Sequence, residues 1–170
     1  NRKNGIAITL VYYGNIVDLW QAFVEKNISI DLGSDQTSLH NIDDCGYCPQ
    51  GYSFEEAKKL LVNDKVKFIE EIRKSLRNHV EAINVLVSNG MYFWDYGNAF
   101  LKEAAEANAD VWKDENKEEF RYPSYVQDIM GPMCFDFGFG PFRWVCTSGL
   151  VEDLLATDDI AAEVLEKLYA

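Results

Sequence analysis

Basic residues are scarce in this chain of 170: 16 lysines and arginines stand against 28 aspartates and glutamates, a net charge of −12. A field of that sign repels phosphate backbones and anionic lipid, which argues against nucleic acid or a membrane surface as partner. No apolar run approaches the roughly 20 residues that a bilayer-spanning helix needs, and no signal peptide is visible. Also missing are a Walker loop, a nucleophile elbow, acids spaced for glycoside cleavage, and a GxGxxG in a strand-to-helix setting. If a dinucleotide binds, its usual pyrophosphate loop therefore lies outside these residues. Cysteine occurs only four times, as Cys45, Cys48, Cys134 and Cys146, and without an export signal these read as reduced thiols. The chain opens on Asn1-Arg2-Lys3 rather than Met, which reads as an excerpt from a longer protein.

What is present is a globular composition, 48% apolar and 14% aromatic, in a length that suits one domain or one and a part. Ile6 to Tyr13 (IAITLVYY) is an apolar, β-branched and aromatic run that predicts a strand covered on both faces. Asn15 then caps a predicted helix carrying Val17, Trp20, Phe23 and Val24 at helical spacing. A second strand is predicted at Ile28 to Leu32, running into a polar loop from Gly33 to Asn41. Ser53-Phe54-Glu55-Glu56 is a capping-box pattern, and a long amphipathic helix follows from Lys65 to Ser88, with Phe68, Ile72, Leu76, Val80 and Ile83 on one stripe. Asn89-Gly90 stops it, and Met91 to Tyr96 predicts a third strand before another helix. Strands alternating with helices imply an α/β fold with a parallel sheet, whose strand-end loops converge on one crevice where ligands bind. Glu106 to Glu119 reads as a charged surface connection. Phe120 to Gly149, rich in aromatics, glycine and proline, reads as a buried irregular segment near a site, and a last amphipathic helix covers about Leu150 to Tyr169.

Three motifs carry chemistry. Asp35-Gln36-Thr37-Ser38-Leu39-His40 sets an amide, two hydroxyls and an imidazole beside a strand end, where they could hold a ribose, a pyrophosphate or a carboxamide. An ordinary hydrophilic loop has the same composition. Cys45-Gly46-Tyr47-Cys48 is a CxxC, but it sits in a loop well before the next helix, and Cys134 and Cys146 complete no zinc spacing. A structural role is favoured there over redox or metal chemistry, and no metal is expected. Arg143, in Gly138-Phe139-Gly140-Pro141-Phe142-Arg143-Trp144, is an arginine among aromatics that seeks an anion, either a ligand carboxylate or an internal acid.

The strings GNIVDLW, DLGSDQTSLHN, FWDYGNAF, RYPSYVQDIMGP and FGFGPFRWVCTSG, in this order, resemble consecutive blocks of the urocanase family and cover about nine tenths of the chain. The resemblance implies a cytoplasmic, homodimeric lyase of histidine degradation that hydrates urocanate to imidazolonepropionate, with tightly bound NAD as electrophile. It implies a partial Rossmann-like portion at residues 1–119 and a core segment at 120–170. Cofactor contacts would fall on Asn15, Ile16, Gln36, Thr37, Ser38, Leu39, His40, Tyr47, Cys48 and Tyr96, and Arg143 would hold the urocanate carboxylate. The glycine-rich phosphate loop would precede residue 1 and the active-site cysteine would follow residue 170, so the chain alone is expected to be inactive. The alternatives are a nucleotide-binding module without catalysis, and a redox protein using Cys45 and Cys48.

Overall fold

The computed structural model describes residues 4–36, 39–97, 99–140 and 146–169. Helix α1 (Ile16–Glu25) starts where Asn15 Oδ1 accepts the Val17 amide, and it buries Val17 and Trp20. Helix α2 (Phe54–Asn63) opens on the full capping box: the Ser53 hydroxyl accepts the Glu56 amide, and the Glu56 carboxylate accepts the Ser53 amide in return. The Ser53 hydroxyl also donates to the Glu56 carboxylate, and this bond, followed by the one from the Ser53 amide, holds the Glu56 carboxyl below the usual range. Ser53→Ala is expected to lower stability by about 1 kcal/mol, read as a shift in the urea midpoint.

Helix α3 (Lys65–Ser88) is the spine of the molecule, and the apolar stripe Phe68, Ile72, Leu76, Val80 and Ile83 is buried as its spacing predicts. It ends at Asn89, and Gly90 follows at φ +106°, a left-handed turn that glycine makes without a Cβ clash. The sheet among the described residues has two parallel strands, β1 (Leu32–Asp35) and β2 (Tyr92–Asp95), with Leu32 opposite Tyr92 and Asp35 opposite Asp95. Gly33, Asp35, Phe93 and Asp95 form its buried face, while Leu32 and Tyr92 point to the other face and are exposed. Helix α4 (Phe100–Glu106) closes the core with Phe100, Leu101 and Ala104. No helix among the described residues is long and apolar enough to cross a membrane.

Three expectations need correction. Residues 6–13 form no strand; Leu10 and Val11 are 83% and 92% exposed. A strand meant for burial on both faces needs a neighbour to take its backbone bonds, and none lies alongside this run among the described residues. The second strand runs from Leu32 to Asp35 rather than from Ile28 to Leu32. Pairing with β2 outweighs the β-propensity of Ile28 and Ile30, and Gly33 is needed there because a Cβ would come within 2.7 Å of the Met91 sulfur.

The third correction concerns residues 106–149. Ala107, Ala109 and Val111 of the charged connection are buried, while Glu106, Asn108, Asp110 and residues 113–119 are exposed as expected. In the aromatic segment Tyr122 is buried and Pro123 and Ser124 dock along β2, where the Pro123 carbonyl accepts the Asp95 amide. Beyond that come a π-helical turn (Tyr125–Met130), a single α turn α5 (Gly131–Met133) and a 3-10 turn (Phe135–Phe137), none of which buries a residue. Among its described residues the segment is irregular as expected, but beyond Tyr122 it is half-buried or exposed rather than buried. Helix α6 (Val151–Tyr169) forms as predicted and likewise buries nothing.

Candidate functional site

Parallel pairing puts the carboxyl ends of β1 and β2 side by side, the edge where ligands bind in such sheets. The two ends are tied directly, since the Tyr96 amide donates to the Asp35 carbonyl at 3.2 Å. Gln36 and Tyr96 therefore leave adjacent strands at the same edge. Gln36 and His40 are exposed, while Leu39 is buried in the core. The Tyr96 ring is half-buried and stacks on Tyr125, centroids 4.9 Å apart and planes within 5°. Gly97 turns away at φ +95°; its amide donates to Asp95 Oδ1, and a Cβ there would lie 3.1 Å from a Val126 methyl.

Asn15 and Ile16 stand at the start of α1. The Asn15 carboxamide does double duty, capping α1 with its oxygen and donating from Nδ2 to the Cys48 carbonyl at 2.9 Å. This joins Cys48 to Asn15, two of the expected cofactor residues that lie far apart in sequence. The neighbouring Gln50 amide donates to the Ser75 hydroxyl on α3, and the Gln50 side chain bonds Asp18, Gln21 and Asn78. The loop from Tyr47 to Gln50 is thus pinned to both α1 and α3.

Tyr47 is buried with its hydroxyl 3.2 Å from His79 Nδ1. Burial, and then the nearby Asp35 carboxylate, push the phenol well above its ordinary value, so it stays protonated. Leu39 and Tyr47 are both buried, so any ligand contact from these two residues comes from backbone. Thr37, Ser38 and Arg143 lie outside the described residues.

Cys45 and Cys48 are free thiols. Burial and then Asp44 raise Cys45, and burial and then Cys45 raise Cys48, so both are poorer nucleophiles than an ordinary thiol. That is the reverse of what a redox CxxC requires. Among the described residues no three or more His, Cys, Asp or Glu side chains gather as a metal site.

A groove of about 780 Å³ runs beside β2, lined by Asp95, Gly97, Tyr122, Ser124, Val126 and Asp128 among others. It takes in Asp95 and Gly97 on either side of Tyr96 in sequence, yet none of the expected cofactor residues lines it. The strand-end edge, where donors and acceptors from separate loops meet, is the stronger candidate.

Two residues that matter here escape a reading of sequence alone. Asp35 was visible as a loop residue but is a buried strand end, and His79 was hidden in the apolar stripe of α3. One signal could have exposed His79: Ser75 and His79 lie four apart, two polar groups on the buried side of a helix, and both prove to bond the loop at 47–50.

The family described as the urocanase Rossmann-like domain matches residues 1–129, and the one described as the urocanase C-terminal domain matches residues 132–169. The chain is 56% identical to a probable urocanate hydratase of Dictyostelium discoideum over 95% of its own length and 24% of that protein's. It is 53% identical to the urocanate hydratase of Mus musculus and 50% identical to that of Homo sapiens, each over 99% of this chain and 26% of the relative. The chain thus spans about a quarter of the length of the curated relatives it matches.

Proposed function

Since this chain belongs to the urocanase family, we propose that it forms the cofactor-binding portion of a urocanate hydratase, a lyase that adds water to urocanate and yields imidazolonepropionate in histidine degradation. NAD is the cofactor, and when bound its nicotinamide supplies an electron-poor ring able to accept electron density from the substrate. The same proposal makes the enzyme cytoplasmic and homodimeric.

The observation that carries the proposal is the convergence of separate loops on one sheet edge: Gln36 and Tyr96 leave adjacent parallel strands, and Asn15 is bonded to Cys48. The donor set there fits a dinucleotide. Gln36 and His40 offer an amide and an imidazole to ribose or carboxamide groups. Asn15 and Ile16 present the start of α1, a ten-residue helix whose first amides suit a phosphate. The half-buried Tyr96, backed by Tyr125, offers an aromatic face to a flat ring. Thr37 and Ser38 would add hydroxyls, and Arg143 would pair with the urocanate carboxylate through its planar fork.

Two measurements test this. The protein at its native length is expected to consume urocanate, followed by loss of its absorbance, and Arg143→Ala is expected to raise KM at least tenfold. The 170-residue chain by itself is expected to leave urocanate unchanged. Full-rate turnover by the short chain would refute the need for further segments. Tight calorimetric binding of NAD by a native-length protein that never consumes urocanate would instead favour a binding module without catalysis.

A further inference from the structure

His79 is buried at 0% exposure, the lowest of the buried polar side chains among the described residues, and it neighbours α1, β1, α4 and the loop before α2. Its ring lies 4.8 Å from that of Phe100 on α4, 6.3 Å from Tyr47 in the loop before α2, and 6.4 Å from Trp20 on α1. Nδ1 meets the Tyr47 hydroxyl at 3.2 Å, and Nε2 faces the Asp35 carboxylate at 3.6 Å, just beyond hydrogen-bond reach and with no other partner. A neutral imidazole carries one hydrogen. Nε2, facing a carboxylate, carries it, which leaves Nδ1 to accept from Tyr47. The polarity of the column is thereby set, from the Tyr47 hydroxyl through the imidazole to Asp35.

Both ends of this column lead to residues assigned above to the cofactor. Asp35 is the last residue of β1, its carbonyl accepts the Tyr96 amide, and Gln36 follows it. Tyr47 precedes Cys48, whose carbonyl is held by Asn15. Gln50 already fastens this loop to α3 through Ser75 and Asn78, so the loop does not need His79 merely to stay attached. What His79 alone supplies is a rigid spacer between the loop and the strand end.

We propose that His79 is a positioning residue for the cofactor crevice, setting the distance between the Tyr47–Cys48 loop and the end of β1 through the Tyr47 hydroxyl and the Asp35 carboxylate. This rests on the assignment of that crevice to NAD. His79 touches no ligand itself; it acts through the two backbone segments it separates.

The test uses native-length protein and reads NAD retained per subunit after exhaustive dialysis, together with the NAD dissociation constant measured well below each variant's melting temperature. Gln36→Ala serves as the direct-contact control. His79→Leu, which keeps bulk but loses both contacts, is expected to weaken NAD at least tenfold. His79→Asn, whose amide oxygen can stand in for Nδ1 toward Tyr47, is expected to recover part of that loss. Tyr47→Phe removes one hydroxyl and keeps the ring, so it is expected to weaken NAD and to add nothing further when combined with His79→Leu. Should the leucine variant fail to fold, Tyr47→Phe and His79→Asn decide the matter. A dissociation constant within twofold of wild type in the His79 and Tyr47 variants, alongside weakened binding in Gln36→Ala, would overturn the positioning role and leave the crevice standing. Unchanged binding in Gln36→Ala as well would overturn the crevice and, with it, the role of His79.

Discussion

Phe93→Ala should lower the stability of the fold by about 3–5 kcal/mol, the range for deleting a buried phenyl ring and leaving a cavity. Phe93 is 2% exposed at the centre of the short sheet. Its ring meets Tyr122 edge-on at 5.1 Å, Phe100 at 6.1 Å and Trp20 at 6.4 Å, so one side chain links β2 to α1, α4 and the segment that docks beside the strand. Domains of this size hold only about 5–15 kcal/mol in total, so the loss is a large share of the whole. Urea denaturation followed by circular dichroism gives the midpoint, and a shift equivalent to less than about 1 kcal/mol would mean the cluster relaxes into the space. Tyr92→Ala provides the contrast. It lies one residue earlier on the exposed face, and a change of about 1 kcal/mol or less is expected there.

The second large effect comes with acid. Burial of His79 holds its imidazole down to about 3, against an ordinary value of 6.5, so the folded chain keeps it neutral while the unfolded chain protonates it first. Protons therefore favour the unfolded state: stability is fully present above pH 6.5 and declines as pH falls from there toward 3. The slope reaches at most about 1.4 kcal/mol per pH unit for this one group. Asp35 and Tyr47 are the titratable groups facing the ring, and the attraction of the Asp35 carboxylate for an imidazolium is outweighed by the loss of hydration. Between pH 6.5 and 5, above the ordinary carboxylate range, the decline is expected to belong mainly to His79. Urea titrations across that interval should show it in the wild type and a flatter profile in His79→Leu. Equal slopes in the two would mean the imidazole is not held neutral.

Helices were legible in the sequence because their signals are local. Asn15, the Ser53–Glu56 box, and the stop at Asn89-Gly90 are each satisfied within a few residues, and the stripe from Phe68 to Ile83 needs only a helical period to be seen. Strands were less legible because their bonds are supplied from elsewhere. The most strand-like run, residues 6–13, stays unpaired, while Gly33-Ser34-Asp35, weak in β-propensity, is drawn into the sheet by β2. At the candidate site, the meeting of Gln36 with Tyr96 followed from parallel order, which the strand–helix alternation implied. The bond from Asn15 to Cys48 and the column from Tyr47 through His79 to Asp35 did not, since no periodicity encodes which loop leans on which helix. Gly33 is similar: a Cβ there would come within 2.7 Å of the Met91 sulfur and 3.0 Å of the Trp20 ring, neighbours that no local pattern encodes.

The parallel register of β1 and β2 also constrains the order in which the chain can assemble. Leu32 finds Tyr92 only across a connection that contains all of α2 and α3. Closing so wide a loop before anything rewards it is entropically unfavourable. Helix α3, built from neighbours in sequence, can gather α1 and α2 early, and strand pairing then becomes a late, rate-limiting event. The crevice between the strand ends would accordingly be among the last features to take shape during refolding.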